Sequence, residues 1–329
     1  MPGIGLRVKR CAFVGACALL GLAGALAACG QPALPQTNIA PVLAAPASTA
    51  AAEIVKLPPS DDIASFSDEF DDASSLASWR DHSTVEGWPS QVDQLDVDTT
   101  TPGALHLVPL TSAWFADFRG VFLFKEITGD FIVTTRIKAT GKQSDVPTRD
   151  YSFAGLMVRA PRDVTMETWQ PNAENWLFIT TGYGERAQGK PQLEVKTTRN
   201  SASELRLLPS RTGWVELRVV RVGSRFVTLS RFEGEEWTIR ARYQRADLPE
   251  TVQVGLNAYT DWQAVHIDAA EFNRTLLKGG DTNPDLIVSS DYVRFRRPEV
   301  PDALRARMES TSITAQPNAE EWLTIAGGD

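Results

Sequence analysis

The sequence predicts an all-β protein: two antiparallel sheets packed face to face, with short accessory helices. Three observations carry this expectation. From about Phe66 to Phe295 apolar side chains recur at every second position, in runs separated by turn residues. The runs are rich in β-branched and aromatic residues, which suit a pleated surface. Helical periodicity is scarce, and about a dozen short strands fit a sandwich of two sheets.

The runs justify this in turn. In DFIVTTRIKA, Phe131, Val133, Thr135 and Ile137 share one side, with Thr134, Arg136 and Lys138 on the other. In WVELRVVRV, Val215, Leu217 and Val219 oppose Glu216 and Arg218. The dipeptide Gly223–Ser224 then separates that run from RFVTLSRF, the mark of a two-residue hairpin. TVQVGLNAY alternates again, with Val252, Val254, Leu256 and Ala258 inward. EGEEW, Glu233 to Trp237, reads as a solvated hairpin tip. Two short helices are expected, over Asp268–Leu277 and over Pro301–Ser310.

The flanks are of different character. Arg7, Lys9 and Arg10 precede an apolar run from Cys11 to Ala28, which ends in LAAC at Cys29. This resembles a bacterial lipoprotein signal with its lipobox, in which Cys29 receives the lipid. A plain signal peptide and an uncleaved anchor helix are the competing readings. The three cysteines, Cys11, Cys17 and Cys29, all fall here, so no disulfide framework and no Cys-based metal site is expected in the body. Residues 30–62 are rich in Ala, Pro, Ser and Thr and read as a tether. The expected organisation is therefore signal 1–29, tether 30–62, β-sandwich 63–297 and C-terminal extension 298–329. Without the three signal charges, 30 basic side chains stand against 41 acidic ones, a net of −11. That balance argues against nucleic acid and against an anionic membrane surface as partners.

DEFDD (Asp68–Asp72), GDFIVTTRIKA, FAGLMVRA, ENWLFITTG, the GWVELRVVRVGSRFVTLSRFEGEEW hairpin, VQVGLNAY and DYVRF (Asp291–Phe295) follow one another in a fixed order. In that order they are similar to concanavalin A-like jelly-roll domains, most of all to an uncharacterised bacterial branch related to the C-terminal domain of β-xylosidases. The resemblance covers about residues 66–296 and implies a jelly-roll sandwich. It is specific for fold and weak for function, because this fold hosts lectins, glycosidases and inert modules. It also implies a structural Ca²⁺ between the first and last strands, at Asp68, Glu69 and Asp291; the competing reading is an exposed acidic turn. The stretch between Trp262 and Asp291 is longer than in the family, so an added loop is expected there.

Glycosidases of this superfamily carry E-x-D-x-x-E on one strand, which sets an acid beside a nucleophile. Here Glu69 and Asp71 are followed by Ser74, so no catalytic residue is assigned. His82, His106 and His266 are far apart and lack Ser or Cys partners. Sugar binding needs aromatic faces with nearby planar donors, because sugars present apolar C–H faces ringed by hydroxyls. Candidates on the concave face opposite the core set are Arg159, Gln253, Asn257 and Tyr259, with Trp114, Arg119 and Trp262 near strand ends. Core packing is the competing reading of each aromatic, and Trp79, Trp214 and Trp237 are assigned to the core or its edge.

One repeat stands apart. QPNAENWLFITTG (170–182) and QPNAEEWLTIAGG (316–328) agree in nine of thirteen columns. The copy keeps Trp322, Leu323 and Ile325 and has Thr324 for Phe178. It is expected to mimic the strand. It would then cover an edge of its own domain, or link protomers through residues 316–328, or stand as a disordered relic. The function expected from the whole is a lipid-anchored protein of the bacterial envelope, at the outer membrane or cell surface. It is read as a non-catalytic carbohydrate-binding or surface-assembly module with a glycan partner. The alternative is a glycoside hydrolase acting on an envelope or extracellular polysaccharide.

Overall fold

A computed structural model describes residues 61–185, 188–309 and 316–327. Cys29, the signal and the tether to residue 60 lie outside the described residues. The body is an all-β, two-sheet antiparallel sandwich with few helices. One seven-stranded sheet runs, in spatial order, β1 (Arg80–Asp81), β4 (Val121–Thr128), β13 (Thr251–Tyr259), β6 (Ser152–Arg159), β7 (Trp176–Tyr183), β8 (Gln192–Arg199) and β9 (Ala202–Pro209). The other runs β12 (Thr238–Gln244), β11 (Arg225–Arg231), β10 (Val215–Val222), β5 (Phe131–Thr140), β14 (Ile287–Arg296), β3 (Leu105–Pro109) and β2 (Val92–Val97).

The alternation read from the sequence sets the core. Phe131, Val133 and Ile137 of β5 meet Val215, Leu217 and Val219 of β10 and, across the sandwich, Leu156 and Val158 of β6 and Val252, Val254 and Leu256 of β13. Val222 pairs with Arg225, so Gly223–Ser224 is the expected two-residue turn, with Gly223 at φ 57°. Both sheets also bury much of their second face. On the first sheet, Trp114, Phe122, Phe124, Phe153, Met157, Trp176, Phe178 and Tyr259 form a second apolar cluster. That is why every residue of β6 is buried. Close packing shows at Gly255 in β13, where a methyl group would sit 2.0 Å from the carbonyl oxygen of Leu123 on β4. Gly255→Ala is expected to cost about 2 kcal/mol by overpacking, read as a lower denaturant midpoint at unchanged slope.

The helices are α1 (His82–Glu86), α2 (Ala269–Arg274), α3 (Asp302–Glu309) and α4 (Ala319–Ala326). α2 and α3 fall inside the two expected helical stretches. α2 is shorter than expected and starts on an Asp268 N-cap. α4 is a correction: the near-copy of β7 is a helix, so neither form of strand addition occurs there. Asn318 caps it, accepting from the Glu321 amide at 2.9 Å, while Glu321 accepts from the Asn318 amide at 2.8 Å. Glu321 stands where β7 has Asn175, so the reciprocal bond belongs to the copy alone. Once the turn starts, Trp322, Ile325 and Ala326 share one helical face. They pack with Leu304 and Met308 of α3 on the outer face of the second sheet, against Ile132, Val220, Val222, Val227, Leu229 and Trp237. Arginines of the sheet close the helix ends. Arg225 donates to the Met308 carbonyl, and Arg218 and Arg296 donate to that of Ala326.

Candidate functional site

The second face of the first sheet holds the residues expected to bind sugar, and it is closed. Residues 110–119 and α1 fold over it, and the Trp114 ring packs on His82, Phe122 and Trp176 at centroid distances of 5.6, 6.3 and 5.9 Å. Arg159, Gln253, Asn257, Tyr259, Trp114 and Arg119 are all buried. Trp262 alone among the seven is partly exposed, edge-on to Phe118 at 5.2 Å and beside the exposed Phe115 at 6.0 Å. These positions do not form an open sugar face: Arg159 donates to Gln253, while Trp114 and Arg119 donate to backbone carbonyls and Tyr259 donates to Glu194.

Arg159 is the centre of this interior. Its Nε and Nη2 donate to Glu174 at 2.9 and 3.1 Å, and its Nη1 donates to Glu86 at 2.7 Å and to Gln253 at 3.0 Å. Arg162 adds a 2.5 Å bond to Glu174, and the Trp88 indole donates to Glu86 at 2.9 Å. Burial by itself would raise both carboxyl groups. The Arg159 charge, together with the neighbouring charges and hydrogen-bond donors, outweighs it and holds Glu86 and Glu174 below the usual carboxylate range. His82 Nε2 lies 3.1 Å from Glu86, close but poorly aligned for a hydrogen bond. Burial, then Arg159, lowers the His82 pKa, so its ring is neutral at pH 7.

A second buried pair lies across the same face. Lys196 Nζ is 2.8 Å from Glu194, donates to the Trp114 carbonyl at 2.9 Å and sits over the rings of Phe178 and Tyr259 at 5.1 and 5.3 Å. Burial lowers its pKa against the pull of Glu194. The Tyr259 hydroxyl donates to Glu194. Arg119 donates to the carbonyls of Asn273 and Pro89 at 2.8 Å each, and burial pushes its pKa down to about 10.

The proposed calcium ligands do not converge. Asp68 meets the last strand through a bridge to Val293, as expected, but accepts from the Phe70 amide at 2.9 Å and the Trp79 indole at 2.8 Å. Glu69 is forked onto Arg294, and Asp291 pairs with Arg136 at 3.1 Å. Among the described residues no group of three or more His, Cys, Asp or Glu is placed to hold a metal ion. Each of the three carboxylates is instead bonded to a different donor.

Two adjoining open recesses lie elsewhere, on the outer face of the second sheet. Register sets two rows across β11, β10, β5 and β14: Arg231, Glu216, Arg136 and Tyr292, then Leu229, Arg218, Thr134 and Arg294. One recess of about 310 Å³ is lined by Glu69, Thr134, Glu216, Arg218, Arg231, Tyr292, Arg294 and Arg296, with Ser67 and Phe295. An adjoining one of about 510 Å³ shares Glu216 and Arg231 and adds Arg136, Trp214, Val215 and the Glu233–Glu236 turn. Glu216 accepts from Arg231 and from the Tyr292 hydroxyl. Burial would raise Glu216, but these donors hold it low, while burial and Glu216 push Tyr292 up. Arg136 stacks on the partly exposed Trp214 at 4.6 Å, and Arg294 stacks on Tyr292 at 3.8 Å. The outward alternation of Arg136, Glu216 and Arg218 was the signal for this face; Trp214, assigned to the core or its edge, is partly exposed at its rim.

No family model matches the chain, and no curated protein matches it. Among solved structures it is similar to a GH43 protein from Bacillus licheniformis: 14% identity, TM-score 0.48, over 72% of this chain and 40% of that one. The chain thus spans about two-fifths of that protein. A functionally unknown protein from Saccharomyces cerevisiae is 16% identical at TM-score 0.45, over 68% and 98%. The kappa-carrageenase from Pseudoalteromonas carrageenovora, solved with an oligotetrasaccharide of kappa-carrageenan, is 11% identical at TM-score 0.41, over 75% and 99%. The sandwich architecture rests on the strand pairing given above.

Proposed function

We propose that the chain is a non-catalytic carbohydrate-binding module of the bacterial envelope, tethered through Cys29. It contacts glycan through the double recess on the second sheet. The observation that carries this reading is an accessible indole set among rigid, planar hydrogen-bonding groups. Trp214 is a partly exposed ring, with Arg136 and Lys138 over it, for sugar C–H groups to meet; Arg136, Glu216 and Arg231 share its recess, and Tyr292 lines the adjoining one. Their mutual bonds fix their rotamers before a ligand arrives, which lowers the ordering cost of binding. The hydrolase alternative is less well supported. A glycosidase needs one carboxyl group protonated at working pH. Glu86 and Glu174, the carboxylates that share Arg159, are buried and held ionised.

Affinity electrophoresis against a panel of neutral and acidic polysaccharides tests this. Trp214→Ala is expected to weaken retention at least about tenfold, the loss of a stacked ring plus its ordered neighbours, with the melting temperature little changed. Retention indifferent to Trp214, or release of reducing ends, would overturn the reading.

A further inference from the structure

We infer that the double recess is built for a glycan in which a uronic acid adjoins an uncharged or amino sugar. This rests on the carbohydrate reading above and names the ligand's charge pattern. The smaller recess places four arginines, at 218, 231, 294 and 296, against Glu69 and Glu216, a local net of +2. The larger sets Arg136 and Arg231 against Glu216, Glu233, Glu235 and Glu236, a local net of −2. A positive hollow in a chain of net charge −8 runs against the field of the whole molecule. The Glu216–Arg231 pair lines both, so a ligand lying across the two meets opposite signs on either side of it. A polyanion charged on every residue would put one carboxylate into the acidic half, which disfavours it.

The smaller recess already holds a carboxylate of its own. Arg294 grips Glu69 in a two-point fork, Nε to Oε1 at 2.8 Å and Nη2 to Oε2 at 2.7 Å. Both side chains of the pair are about half exposed, at 55% and 49%. An exposed pair of this kind contributes little to stability and exchanges readily. Glu69 therefore occupies the place of a ligand carboxylate, which would accept the same fork while the next ring enters the half that carries Trp214.

Titration calorimetry at low salt on the full chain tests this. The probes are a hexasaccharide alternating glucuronate with N-acetylglucosamine, an oligogalacturonate of equal length and a neutral β-glucan oligosaccharide. The alternating probe is expected to bind most tightly and to weaken with salt. Glu69→Gln is expected to tighten it about threefold or more, by removing the internal competitor, and Arg294→Gln to weaken it about tenfold. The neutral probe, which offers no carboxylate to the fork, is expected to respond to either change by a smaller factor than the alternating probe. Neutral binding that depends on Trp214, with both substitutions silent towards the uronate, would overturn this inference and leave the carbohydrate reading standing. Tighter binding of the oligogalacturonate would overturn the alternating pattern. Binding of no probe, with none retained from the wider panel, would remove both.

Discussion

Replacing Arg159 with methionine is expected to lower stability by about 3–5 kcal/mol, since it strands buried charges. For a body of this size that is a fall in melting temperature on the order of 10 °C. Arg159 is fully buried and carries the charge that Glu86 and Glu174 need. With it gone, burial dominates and the two carboxyl groups titrate above their unfolded values. The sign of the pH response separates this from loss of packing. In the native protein both folded pKa values are depressed, so their contribution is complete above the unfolded carboxyl range and is lost as pH falls through the folded values. In the variant they are raised, so stability is regained as pH falls towards the unfolded carboxyl range. The gap between the two proteins should therefore narrow from pH 7 towards pH 5, seen by calorimetry at each pH. A gap independent of pH would mean that Arg159 acts by volume alone.

Trp322→Ala is expected to remove about 3 kcal/mol from the docking of α4, the cost of emptying a buried indole site. Trp322 is 2% exposed and covers Val220, Val222 and Leu229 together with Ile325. The sandwich keeps its own core, so the loss should be local. Proteolysis and hydrogen exchange should speed up over residues 316–327 while β5 and β13 stay protected. The uncovered valines should bind a hydrophobic dye. Unchanged exchange in α4 would show that the helix is held by its arginine contacts rather than by the ring.

The sandwich was legible because its information is local. The alternation in β5, β10, β11 and β13, and the Gly223–Ser224 turn, each lie within a dozen residues. The closed face was not legible, because it depends on pieces distant in the chain. Glu86 and Glu174 reach Arg159 from 73 and 15 residues away. An arginine on the second face of a strand looks the same whether it meets solvent or two glutamates. Trp114 was read by its ring and not by residues 110–119, which are held by distant partners: the Ser112 amide bonds the Thr260 carbonyl, and Lys196 donates to that of Trp114. The open recess was half written: Arg136, Glu216 and Arg218 were placed outward, but Trp214 was read as core or core edge and not as part of a site. At α4, nine shared letters drew the reading towards β7. The exchange of Asn175 for Glu321, which completes a capping pair with Asn318, was the signal against it.

Strand and helix here stand four substitutions apart. β7 owes its extended path to β6 and β8, which bond it on either side, and the copied segment has no such neighbours. A fragment released from its lattice of partners thus became raw material. One new start signal and the loss of one aromatic side chain accompany its different life on the opposite sheet. Nearly the same letters, set in different surroundings, thus take either shape.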